Sequence, residues 1–325
     1  MKQPYTLLYL CKADVEKVAL SMREVIDAVA GMFRAKGEGR VEMPPKPGIH
    51  TRPDAFIHAM PAYIKDMEVA GMKWVAGYPE NQAKGLPYIS GLLILNDAET
   101  GFAKAVMDCT WVTAMRTGAA TAVAAKYLAR KDSSSLGVVA CGVQGRSNLE
   151  ALACSFDIKK VLAYDIRPEV ADHFAAEMSA QLHIKIEVVR NVAEAVQGMD
   201  MVVTSGPILR NPKPAIEPGW LSEGSFASLV DFDSYWQPAA LREFDRISTD
   251  DIAQMAYYRR EGYFQKTPEP YADLGEIVAG KKPGRESAVE RTAAINLGLA
   301  LEDMATATLV YQSALAKGIG IELPL

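Results

Sequence analysis

Ser135-Leu136-Gly137-Val138-Val139-Ala140-Cys141-Gly142-Val143-Gln144-Gly145 decides the fold. Residues 135–140 form an apolar β-run, a glycine turn closes it, and residues 147–156 follow with helical character. A strand, a tight turn and a helix N-terminus make a pyrophosphate cradle, because free backbone N–H groups and the helix dipole face the anion. The pattern is G-x-G-x-x-G with Ala140 in place of its first glycine. Gly142 stands where backbone must approach the pyrophosphate, and Gly145 permits a close turn into the helix. A bare glycine turn between strand and helix is the plainer alternative. Asp165 adds context, because it ends the next strand-like run, Lys160–Tyr164. A carboxylate there accepts a ribose 2′-hydroxyl and repels a 2′-phosphate, which favours NAD over NADP. Arg167, two residues on, could partly accommodate a phosphate.

The alternation continues outward. Helical Pro168–Leu182, a strand at 185–189, a helix at 192–197 and a strand at Met201–Thr204 build βαβ units, hence an α/β domain of Rossmann type with a parallel sheet. A strand at 225–230, a helix at 273–279 and a long helical segment at 288–316 complete the C-terminal side. Upstream, residues 113–129 form an Ala-rich helix, and apolar spacing predicts one helix over 13–35. Met43-Pro44-Pro45-Lys46-Pro47-Gly48 breaks regular structure. Strands at 55–60, 69–75 and 89–96 follow, the last leading into a hairpin turn at 96–101.

Composition narrows the class. The 325 residues predict about two domains. A net charge of −5 argues against nucleic-acid binding, which needs a clustered basic surface. Four Cys and four His lack C-x-x-C or H-E-x-x-H spacing, so neither a disulfide framework nor a metal site is expected. The opening stretch MKQPYTLLYLCK has too short an apolar run for a signal peptide or a membrane span. A cytoplasmic protein is expected.

At residues 107–120 the sequence becomes specific. Met107-Asp108-Cys109-Thr110-Trp111-Val112-Thr113-Ala114-Met115-Arg116-Thr117-Gly118-Ala119-Ala120 resembles the M-D-A-T-x-I-T-A-x-R-T-G-A-A block of the ornithine cyclodeaminase/mu-crystallin family. Met60-Pro61-Ala62-Tyr63, Gly71-Met72-Lys73, Leu274-Gly275-Glu276-Ile277 and Gly298-Leu299-Ala300-Leu301-Glu302-Asp303 match in the same order. The family includes ornithine and lysine cyclodeaminases, an archaeal alanine dehydrogenase and ketimine reductases.

The resemblance implies a discontinuous architecture. A Rossmann NAD-binding domain would span 118–303. Residues 1–117 and 304–325 would form an α+β substrate-binding and dimerisation domain, with the active site between the two. Substrates would be amino or imino acids, and no nucleic acid or membrane partner is implied.

The resemblance also distributes roles. Arg116 would contact substrate carboxylate and cofactor, an Arg fork suiting planar recognition; a surface cation is the alternative. Lys73 would contact substrate and take part in catalysis, against a snorkelling strand-end lysine. Lys46 stands where arginine is usual and keeps the charge without the fork. Asp233 aligns with the catalytic aspartate, holding the amine or moving its proton; Asp231 close by is the competing residue. His58 replaces a glutamate of ornithine cyclodeaminase, as a neutral substrate contact or as a structural histidine. Leu297 is a further substrate contact. Cofactor contacts fall on Thr117, Gly142, Val143, Gln144, Asp165, Arg167, Ser205 or its neighbour Thr204, Val230, and Asn296, where serine is usual.

Three activities remain open. One is hydride transfer at the α-carbon of an amino or imino acid. Another is cyclodeamination, in which ornithine yields proline and ammonia with NAD recycled. The last is cofactor-bearing binding without turnover, as in the hormone-binding member.

Overall fold

The computed structural model describes residues 5–209 and 211–325. The first four residues of the opening stretch therefore lie outside the described residues. Two units divide the chain. One runs to Arg116 and resumes over Leu299–Leu325; the other is Thr117–Gly298. The second junction lies at 298/299 rather than 303/304, so Glu302 and Asp303 belong to the first unit.

The first unit opens with β1 (Thr6–Leu10), α1 (Lys12–Lys17) and α2 (Met22–Gly37). The single helix expected over 13–35 is thus two. Ala19 adopts φ = +52°, which ends the first, and Ser21 caps the second by accepting from the Glu24 N–H while Glu24 reaches back. Short β2 (Val41–Glu42) and β3 (Gly48–Ile49) flank the proline-rich break. The long strands β4 (Phe56–Ile64), β5 (Val69–Gly77), β6 (Ile89–Asp97) and β7 (Ala103–Asp108) form an antiparallel meander. β4 outruns its expected end and passes through Pro61. The register places β3 against Ile57 and His58, and β2 against Tyr63 and Ile64, so neither faces Pro61 on that edge. A missing N–H is tolerated there.

α3 (Thr110–Leu128) carries the chain from the first unit into the second. There β8 (Ser135–Val139), α4 (Val143–Ala153), β9 (Lys160–Tyr164), α5 (Pro168–Leu182), β10 (Ile186–Val188), α6 (Val192–Val196) and β11 (Met201–Thr204) alternate as the sequence predicts. α4 starts four residues early, with Gly142 as its N-cap. Next come β12 (Phe226–Leu229), α7 (Pro238–Leu241), β13 (Arg246–Thr249), α8 (Ile252–Arg260), β14 (Ala272–Asp273), α9 (Leu274–Val278) and β15 (Thr292–Ile295). Within the helix expected at 288–316, Thr292–Ile295 is therefore a strand, and helix begins only at Ala300. Buried on both faces, Thr-Ala-Ala-Ile lacks the alternation that marks a strand, and it pairs with β12 and β13. The sheet order is β10-β9-β8-β11-β12-β15-β13-β14, and every pair is parallel. The chain leaves β8 in one direction and returns through β11 in the other. That switch point is where ligands of such sheets bind, beyond the strand carboxyl ends.

α10 (Ala300–Lys317) returns to the first unit and packs on α2 and on β4, β5 and β6. β16 (Ile321–Pro324) completes that sheet as β16-β1-β7-β6-β5-β4-β2. Met22, Val25, Val29, Met32 and Phe33 of α2 are buried. Each large apolar side chain so buried contributes about 1.5–3 kcal/mol.

Candidate functional site

In the first unit, Lys73 lies mid-strand on β5, opposite Met60 and Leu93. It is 1% exposed, which excludes snorkelling. Its Nζ is 2.7 Å from Asp303 Oδ2 and donates to Thr113 Oγ1 at 3.3 Å. Arg116, on α3 one turn after Thr113, is also buried rather than a surface cation. Its Nη1 donates to Glu302 Oε2 at 2.7 Å and its Nε to Asp303 Oδ1 at 3.0 Å. Two cations thus meet two carboxylates in a buried cluster. Removing one member of such a cluster leaves a charge uncompensated, at about 3–5 kcal/mol. Burial pushes the Lys73 pKa down, while Asp303 acts against that. Burial pushes the Glu302 pKa up, while Arg116 acts against it. Glu302 Oε1 has no hydrogen-bond partner among the described residues.

Lys46, in the proline-rich segment, is buried as well. His58 on β4 stacks on Phe56 with ring centroids 4.3 Å apart. Opposite it, a Cβ on Gly48 would lie 2.3 Å from His58 Cδ2, so the ring takes the space of a missing side chain. Burial, with Lys46, His50 and Lys73 adding to it, pushes the His58 pKa down to about 3. The imidazole is neutral at physiological pH.

In the second unit, four loops at the carboxyl ends of β8, β11, β12 and β15 hold most of the expected cofactor residues. Ala140 takes φ = +74°, the conformation that the missing glycine would adopt freely. Its N–H donates to Tyr164 O at 2.8 Å, and its carbonyl accepts from Ser205 Oγ at 2.9 Å. A Cβ on Gly145 would meet Ala140 O at 2.6 Å, so only glycine fits. A Cβ on Gly142 meets nothing within 4 Å among the described residues. Val143, the first residue of α4, is 64% exposed although apolar, and Gln144 beside it is half-buried. Asp165 ties the turns together: it accepts from Cys141 N at 2.9 Å and from Arg167 N at 3.0 Å. Arg167 itself is exposed.

Thr204 and Ser205 separate cleanly. The Thr204 hydroxyl is consumed in the core, donating to Asp231 at 2.8 Å and accepting from Trp236 Nε1 at 3.1 Å. Ser205 is half-buried at the turn. The two aspartates after β12 separate likewise. Asp231 is fully buried and bonded to Thr204 and to Gly206 N, and burial pushes its pKa up to about 7. Asp233 is half-buried and accepts from Thr267 Oγ1 at 2.7 Å. Val230 precedes them, its N–H bonded to Thr204 O. Asn296 follows β15. Its Nδ2 donates to Thr121 and Ser228, while its buried Oδ1 has no partner among the described residues. Leu297 and Thr117 are buried.

Glu302, Asp303 and Thr113 are the functional candidates that residue-level reading missed. The signal was present: two adjacent acids stand in an otherwise apolar helix start, Ala300-Leu301-Glu302-Asp303-Met304-Ala305. A surface cleft of about 360 Å³ lies between the 51–55 and 78–84 segments and contains none of the expected site residues. Among the described residues, no group of three His, Cys, Asp or Glu could hold a metal ion.

Known proteins share this organisation. The model of the ornithine cyclodeaminase/mu-crystallin family matches residues 7–318. Alanine dehydrogenase of Archaeoglobus fulgidus is 37% identical, over 97% of this chain and 98% of its own. The structure of Thermococcus litoralis Delta(1)-pyrroline-2-carboxylate reductase in complex with NADH and L-proline superposes with TM-score 0.88 at 37% identity, covering 97% of this chain and 99% of that one. An archaeal alanine dehydrogenase dimer with bound NAD gives TM-score 0.88 and 37% identity over 99% and 100%. The chain belongs to the ornithine cyclodeaminase/mu-crystallin family.

Proposed function

We propose that this protein is an NAD(H)-dependent oxidoreductase that transfers hydride at the α-carbon of a small amino or imino acid. The carrying observation is the turn after β8. Gly142 opens α4 with free space over its Cα, exposed Val143 stands beside it, and Asp165 closes the turn from β9. The relatives support the reading, since two of their structures hold NAD or NADH.

The residues present fit the cofactor. Backbone N–H groups at the start of α4, with Gly142, Val143 and Gln144, would receive its pyrophosphate. Asp165 would accept ribose hydroxyls, with Arg167 at the rim. Ser205, Val230, Thr117 and Arg116 would contribute further contacts. The partnerless Asn296 Oδ1 is a buried acceptor in want of an N–H donor. When bound, NAD supplies the hydride acceptor or NADH the donor.

The chain's own groups do the rest. Lys46, Lys73 and Arg116 would hold the substrate carboxylate, with Leu297 and His58 beside the side chain. Asp233, fixed by Thr267, would hold the amine or move its proton. Asp231 is committed to Thr204 and Gly206, which leaves Asp233 as the available acid. Neutral His58 offers no charge for a second ammonium group, which favours this activity over cyclodeamination. A homodimer in the cytoplasm completes the proposal. Among the described residues, no helix is long and apolar enough to cross a membrane.

The test offers the purified protein NADH with Δ1-pyrroline-2-carboxylate, NADH with pyruvate and ammonia, and NAD with L-ornithine. Consumption of NADH by an imino or keto acid is expected. Proline and ammonia without net NADH would overturn the proposal in favour of cyclodeamination. NADH binding with no turnover would leave a binding protein.

A further inference from the structure

The geometry points to Asp303 and Glu302 as positioning residues that preset the substrate-carboxylate receptor; the inference rests on the proposed role of Lys73 and Arg116. Asp303 bridges both cations, one carboxylate oxygen 2.7 Å from Lys73 Nζ and the other 3.0 Å from Arg116 Nε. Glu302 takes a second edge of the same guanidinium through Nη1. Both acids are 0% exposed. They occupy the first turn of α10, where the helix dipole favours negative charge.

The packing of α10 on β5 brings the two acids to this place. A Cβ on Gly71 would meet Ile94 O at 2.2 Å and Met304 Sδ at 2.8 Å. Met304, next to Asp303 on α10, thus fills the space over Gly71, two residues before Lys73 on β5. Thr113 and Arg116, one turn apart on α3, close the other side. Neither cation is left to find its orientation when substrate arrives. Their rotamers are locked by bonds that already exist, so the ordering cost of binding falls.

The charges divide the labour. The titratable groups facing Lys73 are Asp303 from α10, Arg116 from α3, Cys109 just before α3, and His58 from β4. Burial and Arg116 work against the ammonium, and Asp303 is its chief support. Glu302 serves Arg116 instead. Asp303, 2.7 Å from Lys73 Nζ, therefore favours its charged form as well as orienting it, whereas Glu302 orients Arg116.

Asp303→Asn and Glu302→Gln separate these roles. Each is compared with the parent in NADH-dependent reduction of Δ1-pyrroline-2-carboxylate, or of pyruvate with ammonia, across pH. Thermal unfolding checks the fold. Asp303→Asn should raise KM about tenfold or more, with a smaller change in kcat. It should also lower the apparent pKa of the basic limb by about one unit or more. Glu302→Gln should raise KM and leave the limb in place. Lys73→Arg should remove the limb, because a guanidinium stays charged. A folded Asp303→Asn protein with parental KM and pH profile overturns the inference, as does an equal limb shift in both variants. If Asp303→Asn does not fold, Asp303→Glu takes its place: a raised KM with an unmoved limb is expected, and an unchanged KM refutes. If the parent neither turns over these substrates nor binds pyruvate by fluorescence quenching, the functional reading itself fails, and this inference with it.

Discussion

Replacing Ala140 by glycine should stabilise the second unit. At φ = +74° an L residue costs about 1–2 kcal/mol, because its Cβ crowds the carbonyl oxygen. The strain has no outlet: the Ala140 N–H is held by Tyr164 O at 2.8 Å and its carbonyl by Ser205 Oγ at 2.9 Å. Glycine removes the crowding and adds about 0.5–1 kcal/mol of unfolded-chain entropy. Taking the middle of each range, the net gain is about 0.75 kcal/mol. For a unit of this length 1 kcal/mol moves Tm by about 2–4 °C, so a rise of about 1.5–3 °C is expected. Scanning calorimetry of parent and variant, each with and without NADH, measures it. The turn keeps its shape, so NADH should stabilise both proteins by the same increment. An unchanged or lowered Tm in the variant would refute the claim that Ala140 stores strain.

Asp233→Asn should lower turnover by about a hundredfold or more while NADH affinity, measured by fluorescence, survives; equal loss of both would place this aspartate elsewhere. Asp165→Ala should narrow the ratio of NAD to NADP turnover, and an unchanged ratio counts against the ribose contact. Gly142→Ala and Gly145→Ala should differ in kind. The first adds a methyl into open space and should weaken NADH binding at unchanged Tm, whereas the second meets Ala140 O at 2.6 Å and should lower Tm; the reverse pattern would refute the cradle. Burial pushes the His58 pKa down from 6.5 to about 3, so the unfolded chain binds the extra proton between them and stability falls as pH drops through that window. His58→Gln should flatten the dependence of Tm on pH below 6.5, and an unaltered slope would show the ring to be protonated in the fold.

The second unit was the more legible in sequence. Lys160–Tyr164, Pro168–Leu182 and Met201–Thr204 match their expected bounds, because strand and helix periods alternate there and Pro168 pre-sets a helix start. Thr292–Ile295 did not declare itself, since a short apolar run buried on both faces fits either period. The break at Ala19 needed a backbone angle that alanine does not advertise. In the site, Asp165 and the glycine turn were legible as local geometry. Thr204 and Ser205 could be told apart only by burial, and Asp231 and Asp233 only by who bonds to them. Glu302 and Asp303 escaped because their partner Arg116 lies 186 and 187 positions away, and spacing along a chain says nothing about such a pairing.

That separation also orders events during synthesis. Lys73 and Arg116 leave the ribosome long before α10, and the whole second unit is made in between. The second unit has its complete parallel sheet once β15 emerges, and can fold as a chain segment in its own right. The first unit cannot. Until Glu302 and Asp303 arrive, burying either cation would strand a charge without its counterion, so the hydrophobic face of β4, β5 and β6 has no stable partner. The buried cluster of Lys73, Arg116, Glu302 and Asp303 is thus the last part of the molecule to be assembled. Released chains truncated at Gly298, before α10, should resist proteolysis in the second unit and remain open to it in the first.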